Sequence, residues 1–130
     1  MSTHSRQIGQ LGERIAANWL ENKGFDIVDA NYRRKWGELD LVGLKDRRVY
    51  FFEVKSVQRR LQKDGEVTSE EKYRPAENMH DAKIQRIYRA GQTWLEENNL
   101  TDTDWQIDFL AVRIDFNTRR SSIHRVKCIS

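Results

Sequence analysis

Apolar and polar positions along the chain fall into seven patterned blocks. Ile8, Leu11, Ile15 and Trp19 recur at helical spacing with Ala16 and Ala17 between them, and Asn22-Lys23-Gly24 supplies a stop with glycine just past the end. From Phe25 to Tyr32 the period changes to two, which predicts a strand. Two further alternating segments follow, Gly37 to Val42 and Val49 to Lys55, both rich in β-branched and aromatic residues. Gly43 and the Lys45-Asp46-Arg47-Arg48 cluster separate them, so they read as a hairpin. A second helix is predicted from Asp81 as N-cap, with Ile84, Ile87, Tyr88, Gly91, Trp94 and Leu95 on one face. Two strands close the chain, 105–112 and 123–129, joined by a polar turn around Asn117-Thr118. The predicted order is αβββαββ. Between residues 56 and 80 the apolar pattern fails, and Gly65 and Pro75 interrupt a run of Lys, Glu, Gln and Arg, which predicts a long mobile loop.

The hairpin permits a register. With its turn centred on Asp46-Arg47, Leu44 faces Val49, Asp40 faces Glu53 and Glu38 faces Lys55. Period 2 also places Glu38, Asp40 and Val42 on one face of the first strand, and Phe51, Glu53 and Lys55 on one face of the second. Directly opposed carboxylates destabilise a ladder unless something compensates them, and a bound cation is the simplest compensation. The apolar run Tyr50-Phe51-Phe52 predicts burial on both faces, so Glu53 and Lys55 extend a sequestered strand where charge must be paired or bound to metal. A functional cluster and a structural ion-pair network both satisfy this pattern. Periodicity alone makes Glu13 a solvated glutamate, nearly opposite the Ile8/Ile15 stripe.

With 130 residues and 38% hydrophobic content the chain suits one domain, residues 1–130, with a substantial core. No apolar run approaches the ~20 residues of a membrane span. An N-terminus without an apolar signal core and a single cysteine, Cys128, point to the cytoplasm. The net charge of +3 is weak evidence for a nucleic-acid partner, but its distribution is informative. Residues 31–63 hold ten Lys or Arg against four acids, whereas residues 92–112 hold five acids and no Lys or Arg. Arg33, Arg34 and Lys35 precede the hairpin and Arg59 and Arg60 follow it, with Lys83 on the second helix, where phosphate contacts would be wanted. Trp36 could stack on a base or belong to the core. The three histidines are scattered, so a histidine-based zinc site is not expected.

Gly12-Glu13, Gly37-Glu38-Leu39-Asp40-Leu41, Phe52-Glu53-Val54-Lys55, Lys83-Ile84-Gln85-Arg86 and Ile107-Asp108-Phe109, in this order, resemble the small bacterial YraN-like proteins. That family is similar to archaeal Holliday-junction resolvases and to the PD-(D/E)xK superfamily. The resemblance implies a restriction-endonuclease-like α/β fold, a mixed central sheet flanked by helices. By position, Asp40 matches the motif's aspartate, Glu53 its D/E and Lys55 its lysine, while Glu13 matches an acid supplied from the first helix. Glu38 and Asp108 also match family positions without a defined role. The implied activity is hydrolysis of DNA phosphodiester bonds, with Asp40, Glu53 and Glu13 around Mg²⁺ or Mn²⁺ and Lys55 orienting the nucleophile or stabilising the developing charge. Preference for branched or single-stranded DNA, and a homodimer acting on two strands, fit the same resemblance. The alternative reading is a nucleic-acid-binding accessory protein of repair or recombination with little catalysis.

Overall fold

The computed structural model of the chain describes residues 3–60 and 81–129. Within them α1 (Thr3–Asn22), β1 (Asp26–Arg34), β2 (Gly37–Lys45), β3 (Arg48–Gln58), α2 (Asp81–Glu97), β4 (Asp104–Asp115) and β5 (Arg120–Ile129) follow one another in the expected order. The strands form one five-stranded mixed sheet in sequential order. All neighbours are antiparallel except β3 and β4, and α2 lies between those two as the crossover that a parallel pair requires.

Each sheet face has its own core. Phe51, with Val42, Val49, Ile107 and Phe109, packs against Ile87, Ala90, Trp94 and Leu95 of α2. The adjacent Phe52, with Leu41, Leu110 and Val112, packs against Ala16 and Leu20 of α1. Alternation along β3 therefore sends consecutive phenylalanines to opposite helices, as the apolar run predicted. Among the described residues, no helix is long and apolar enough to cross a membrane.

Local signals set the element ends. After α1 the Gly24 N–H donates to the Glu21 carbonyl and the Phe25 N–H to the Leu20 carbonyl, with Gly24 at φ 94°, a left-handed cap that favours glycine. Asp46 and Arg47 both have positive φ, 49° and 65°, and Lys45 pairs with Arg48, so the hairpin closes on a two-residue turn whose twist matches the strands. The register follows the sequence reading from Leu44↔Val49 to Leu41↔Phe52.

Two expectations need correction. The connection after Lys55 was expected to be loop from residue 56, but β3 stays paired with β4 as far as Gln58↔Ile114, so residues 56–58 are strand. Their amides and carbonyls find partners in the parallel ladder, which polar side chains do not prevent. The rest of the predicted mobile loop, residues 61–80, lies outside the described residues. The second correction concerns α1. Its fully buried stripe is Gly12, Ala16 and Leu20, while Ile8, Leu11, Ile15 and Trp19 flank it only partly buried. Small residues occupy the contact because the helix lies close to the sheet: a Cβ on Gly12 would sit 1.6 Å from the Ser56 Oγ of β3. Relative to this stripe Glu13 is only roughly 60° off centre. It is half-buried, not solvated.

Candidate active site at a fork between two strands

The ladder between β2 and β3 stops at Leu41↔Phe52. Upstream, β2 stays with β1 to Arg34↔Gly37, and downstream β3 stays with β4 to Gln58↔Ile114, so the two strands diverge. Asp40 stands at the fork, where its Oδ2 accepts the Val54 N–H at 2.7 Å. That bond holds Asp40 near Glu53, although the ladder ends one rung short of the expected Asp40–Glu53 pair. It also uses one of the carboxylate's oxygens on the backbone.

Strict alternation does not survive the fork. Leu39 belongs to the α2-side core and Leu41 to the α1-side core, so the face changes across Asp40. Opposite it on β1, between Ala30↔Leu41 and Tyr32↔Leu39, Asn31 adopts φ 53°. Asparagine is among the few residues that enter this region readily. The expected single face carrying Glu38, Asp40 and Val42 is therefore broken. The expected facing of Glu38 and Lys55 also fails, because their strands have separated. Glu38 instead pairs with Arg33 at 2.9 Å, both side chains being exposed. Lys55 is exposed on β3 and has no ion-pair partner among the described residues.

Glu53, whose side chain is 13% exposed, points toward α2 and receives Lys83 Nζ at 2.8 Å. On the other side of the fork, Glu13 hydrogen-bonds Asn31. Burial pushes the Glu13 carboxyl up, Asn31 and Arg33 oppose the shift, and Glu38 and Glu53 add to it. The stronger effect falls on Asp40. Burial first, then the nearby Glu53, Glu13 and Glu38 charges, push its carboxyl up to about 8 against the opposing Val54 hydrogen bond. The fold thus gathers Glu13, Glu38, Asp40 and Glu53 into one electrostatic neighbourhood, although the helix pattern had set Glu13 apart.

The donors fit a hard divalent cation, which prefers carboxylate oxygens and retains waters. Asp40 offers its second oxygen, and a cation would relieve the like-charge crowding that raises it. The set is not assembled in advance: among the described residues no three carboxylate, imidazole or thiolate groups stand close enough to hold a metal ion. Glu53 meets Lys83 instead.

A cavity of about 300 Å³ opens on the α2 side of the fork, where Arg34, Lys35, Lys83 and Arg86 surround Glu38 and Glu53. At its edge α2 packs this closely on β2 only because residue 37 is glycine, since a Cβ there would lie 2.2 Å from the Arg86 carbonyl. Arg86 was not among the expected contact residues; its place three positions after Lys83 on α2 was the available signal. Arg34 is committed elsewhere, donating twice to Glu97 at 2.9 and 2.8 Å and stacking over Tyr32. Arg33, Arg59 and Arg60 are exposed. A second cavity, about 500 Å³, lies on the α1 side and includes Glu13, Arg14, Asn31 and Leu41. Trp36 donates its indole N–H to Thr93 Oγ1 of α2 at 3.1 Å and is partly buried there.

Asp108 pairs with Phe52 across the β3–β4 ladder and is fully buried. It accepts Gln106 Nε2 at 2.7 Å and Arg125 Nε at 2.6 Å. Arg125 lies over Phe25 and Tyr50, and Gln106 accepts Arg48 at 3.2 Å. Both carboxylate oxygens of Asp108 thus accept a side-chain donor.

Known proteins resemble this chain in sequence along most of its length. A UPF0102 protein of Renibacterium salmoninarum is 35% identical over 108 residues, covering 83% of each chain. One from Alkaliphilus metalliredigens is 34% identical over 110 residues, 85% of this chain and 88% of the relative. Another, from Alkaliphilus oremlandii, is 28% identical over 123 residues, 95% and 97% of the two chains. The match to the uncharacterised protein family UPF0102 runs from residue 12 to residue 116, from the glycine before Glu13 to one residue past β4. With the YraN-like resemblance thereby borne out, the chain belongs to the uncharacterised protein family UPF0102.

Proposed function

We propose that the fork is the active site of a divalent-cation-dependent nuclease acting on DNA. What supports this most is the Asp40 carboxyl, pushed up to about 8 by burial and by three neighbouring acids, two of which, Glu38 and Glu53, line a cleft with a basic wall. Strongly perturbed carboxylates with an identified cause mark functional sites. Asp108 on the same sheet supplies the contrast, since its two side-chain donors leave nothing for a ligand to do.

Asp40, Glu53 and, from the opposite side, Glu13 would hold Mg²⁺ or Mn²⁺. A bound ion would supply Lewis acidity toward water and a phosphodiester oxygen. Lys55, exposed beside Glu53 on the α2 side of β3, donates hydrogen bonds to the attacked phosphate and offsets its developing charge. The Val54 amide fixes Asp40 by holding one of its oxygens. Lys35 and Arg86 flank the route by which a phosphate backbone reaches the fork, with Arg59 and Arg60 beyond the end of β3.

The test is incubation with Mg²⁺ or Mn²⁺ and labelled duplex, flap and four-way-junction DNA, alongside Asp40→Ala and Lys55→Ala. Cleavage that both substitutions abolish supports the reading, whereas cleavage indifferent to them overturns it. A second reading, a DNA-binding protein of repair or recombination, is favoured by the Lys83–Glu53 pair, which neutralises one proposed ligand. Salt-sensitive binding without cleavage would select it.

A further inference from the structure

We propose that Lys83 is a resident counter-ion of the fork, whose release couples divalent-cation binding to nucleic-acid binding. This rests on the site assigned above and deepens it by naming how that site is regulated.

Lys83 lies in the first turn of α2 and brings Nζ to 2.8 Å from Glu53 Oε1. Glu53 is 13% exposed and the Lys83 side chain 32%, so the pair is sheltered without being sealed. An ammonium and a divalent ion cannot both sit against one carboxylate at low cost, because they repel each other in a partly desolvated cleft. An ion joining Asp40 and Glu53 therefore displaces Lys83. The cavity of about 300 Å³ lies directly beside it, and Lys83 is part of that wall.

Displacement changes the charge that the cavity offers. Before it, Arg34 is held by Glu97 and Lys83 by Glu53, while Lys35 and Arg86 have no ion-pair partner among the described residues. After it, Lys83 joins Lys35 and Arg86 as a cation without an ion-pair partner among the described residues, facing the same space. Three cations around one opening attract a phosphodiester, each of whose phosphates carries one negative charge. A phosphate entering first has the converse effect, drawing Lys83 from Glu53 and opening that carboxylate to the metal. Coupling of this kind is reciprocal: whatever factor the metal contributes to nucleic-acid affinity, nucleic acid contributes to metal affinity. A simple stabilising ion pair has no such property.

The experiment is a Mn²⁺ titration followed by the loss of the free-ion electron paramagnetic resonance signal. It uses wild type, Lys83→Met, which keeps the apolar stem, and Lys83→Arg, which keeps the charge. Each is titrated alone and with a short phosphorothioate-linked single-stranded oligonucleotide that resists cleavage. Thermal melting checks folding, with Lys83→Gln as a second neutral variant. Alone, Lys83→Met and Lys83→Gln should bind Mn²⁺ about tenfold more tightly than wild type, while Lys83→Arg stays near it. The oligonucleotide should tighten Mn²⁺ binding to wild type about fivefold or more and leave the neutral variants nearly unmoved. Equal or weaker Mn²⁺ binding by both neutral variants, an unchanged response to oligonucleotide, or no Mn²⁺ binding by any of the proteins overturns the proposal. Failure of the nuclease reading is separately visible. A protein that cleaves nothing yet shows Lys83-dependent coupling loses the catalytic assignment and keeps this one.

Discussion

Asp40 and Asp108 are two aspartates of one sheet whose carboxylates have opposite surroundings. Asp108 is fully buried, yet it has a side-chain amide at 2.7 Å and a guanidinium at 2.6 Å, with that guanidinium itself resting on two aromatic rings. Asp40 is partly buried and has a single backbone amide, while its charged neighbours Glu53, Glu13 and Glu38 share its sign. Burial alone therefore does not distinguish a structural carboxylate from a reactive one. What separates them is whether the fold provides the counter-charge or leaves that place to something from solution.

The largest expected difference is in stability. Asp108→Ala leaves Arg125 without its buried partner and should destabilise the fold by about 3–5 kcal/mol in urea unfolding. Asp40→Asn removes a like charge and should leave stability equal or higher in the absence of metal. The order reverses for chemistry: Asp40→Asn and Lys55→Met should each lower DNA cleavage by about 10²–10³-fold in a single-turnover assay.

Next comes the pH dependence of stability without divalent ions. Asp40 has its folded value raised, from the ordinary 3.8 to about 8, so between those values the folded state holds a proton that the unfolded state has released. Stability should therefore fall as pH rises from about 4 to 8, with this group contributing at most ~1.4 kcal/mol per pH unit. Glu13, also raised by burial, acts with the same sign. In Asp40→Asn the shared slope should become shallower, which unfolding curves at pH 5, 6, 7 and 8 would show. Smallest of all is the rim: Glu38→Gln breaks an exposed pair with Arg33 and should change stability by less than ~1 kcal/mol.

Much of this contrast was legible before any coordinates. The Asp46-Arg47 turn set the hairpin register as far as Leu41↔Phe52, and that last rung leaves Asp40 close enough to β3 to meet the Val54 amide beside Glu53. What the pattern hid was of three kinds. Glu13 was concealed because helix contact is made by Gly12 and Ala16, residues too small to mark a hydrophobic stripe. The change of face at Asp40 depends on the positive φ of Asn31 and on where β2 leaves β3, neither of which period 2 encodes. Lys83 reaches Glu53 only through the packing of α2 across the sheet, a contact spanning thirty positions of sequence. Resemblance supplied Glu13 where periodicity could not, and nothing in the chain's local patterns announced the ion pair.

The central claim, that the fork holds an underneutralised carboxylate awaiting a cation, is tested most directly by the carboxyl ¹³C resonance of Asp40, followed through a pH titration with and without Mg²⁺. In metal-free protein Asp40 should titrate near pH 8, and Mg²⁺ should shift that midpoint well below it. An Asp40 that titrates near its ordinary value of 3.8 without metal, or whose midpoint Mg²⁺ leaves unmoved, would contradict the claim.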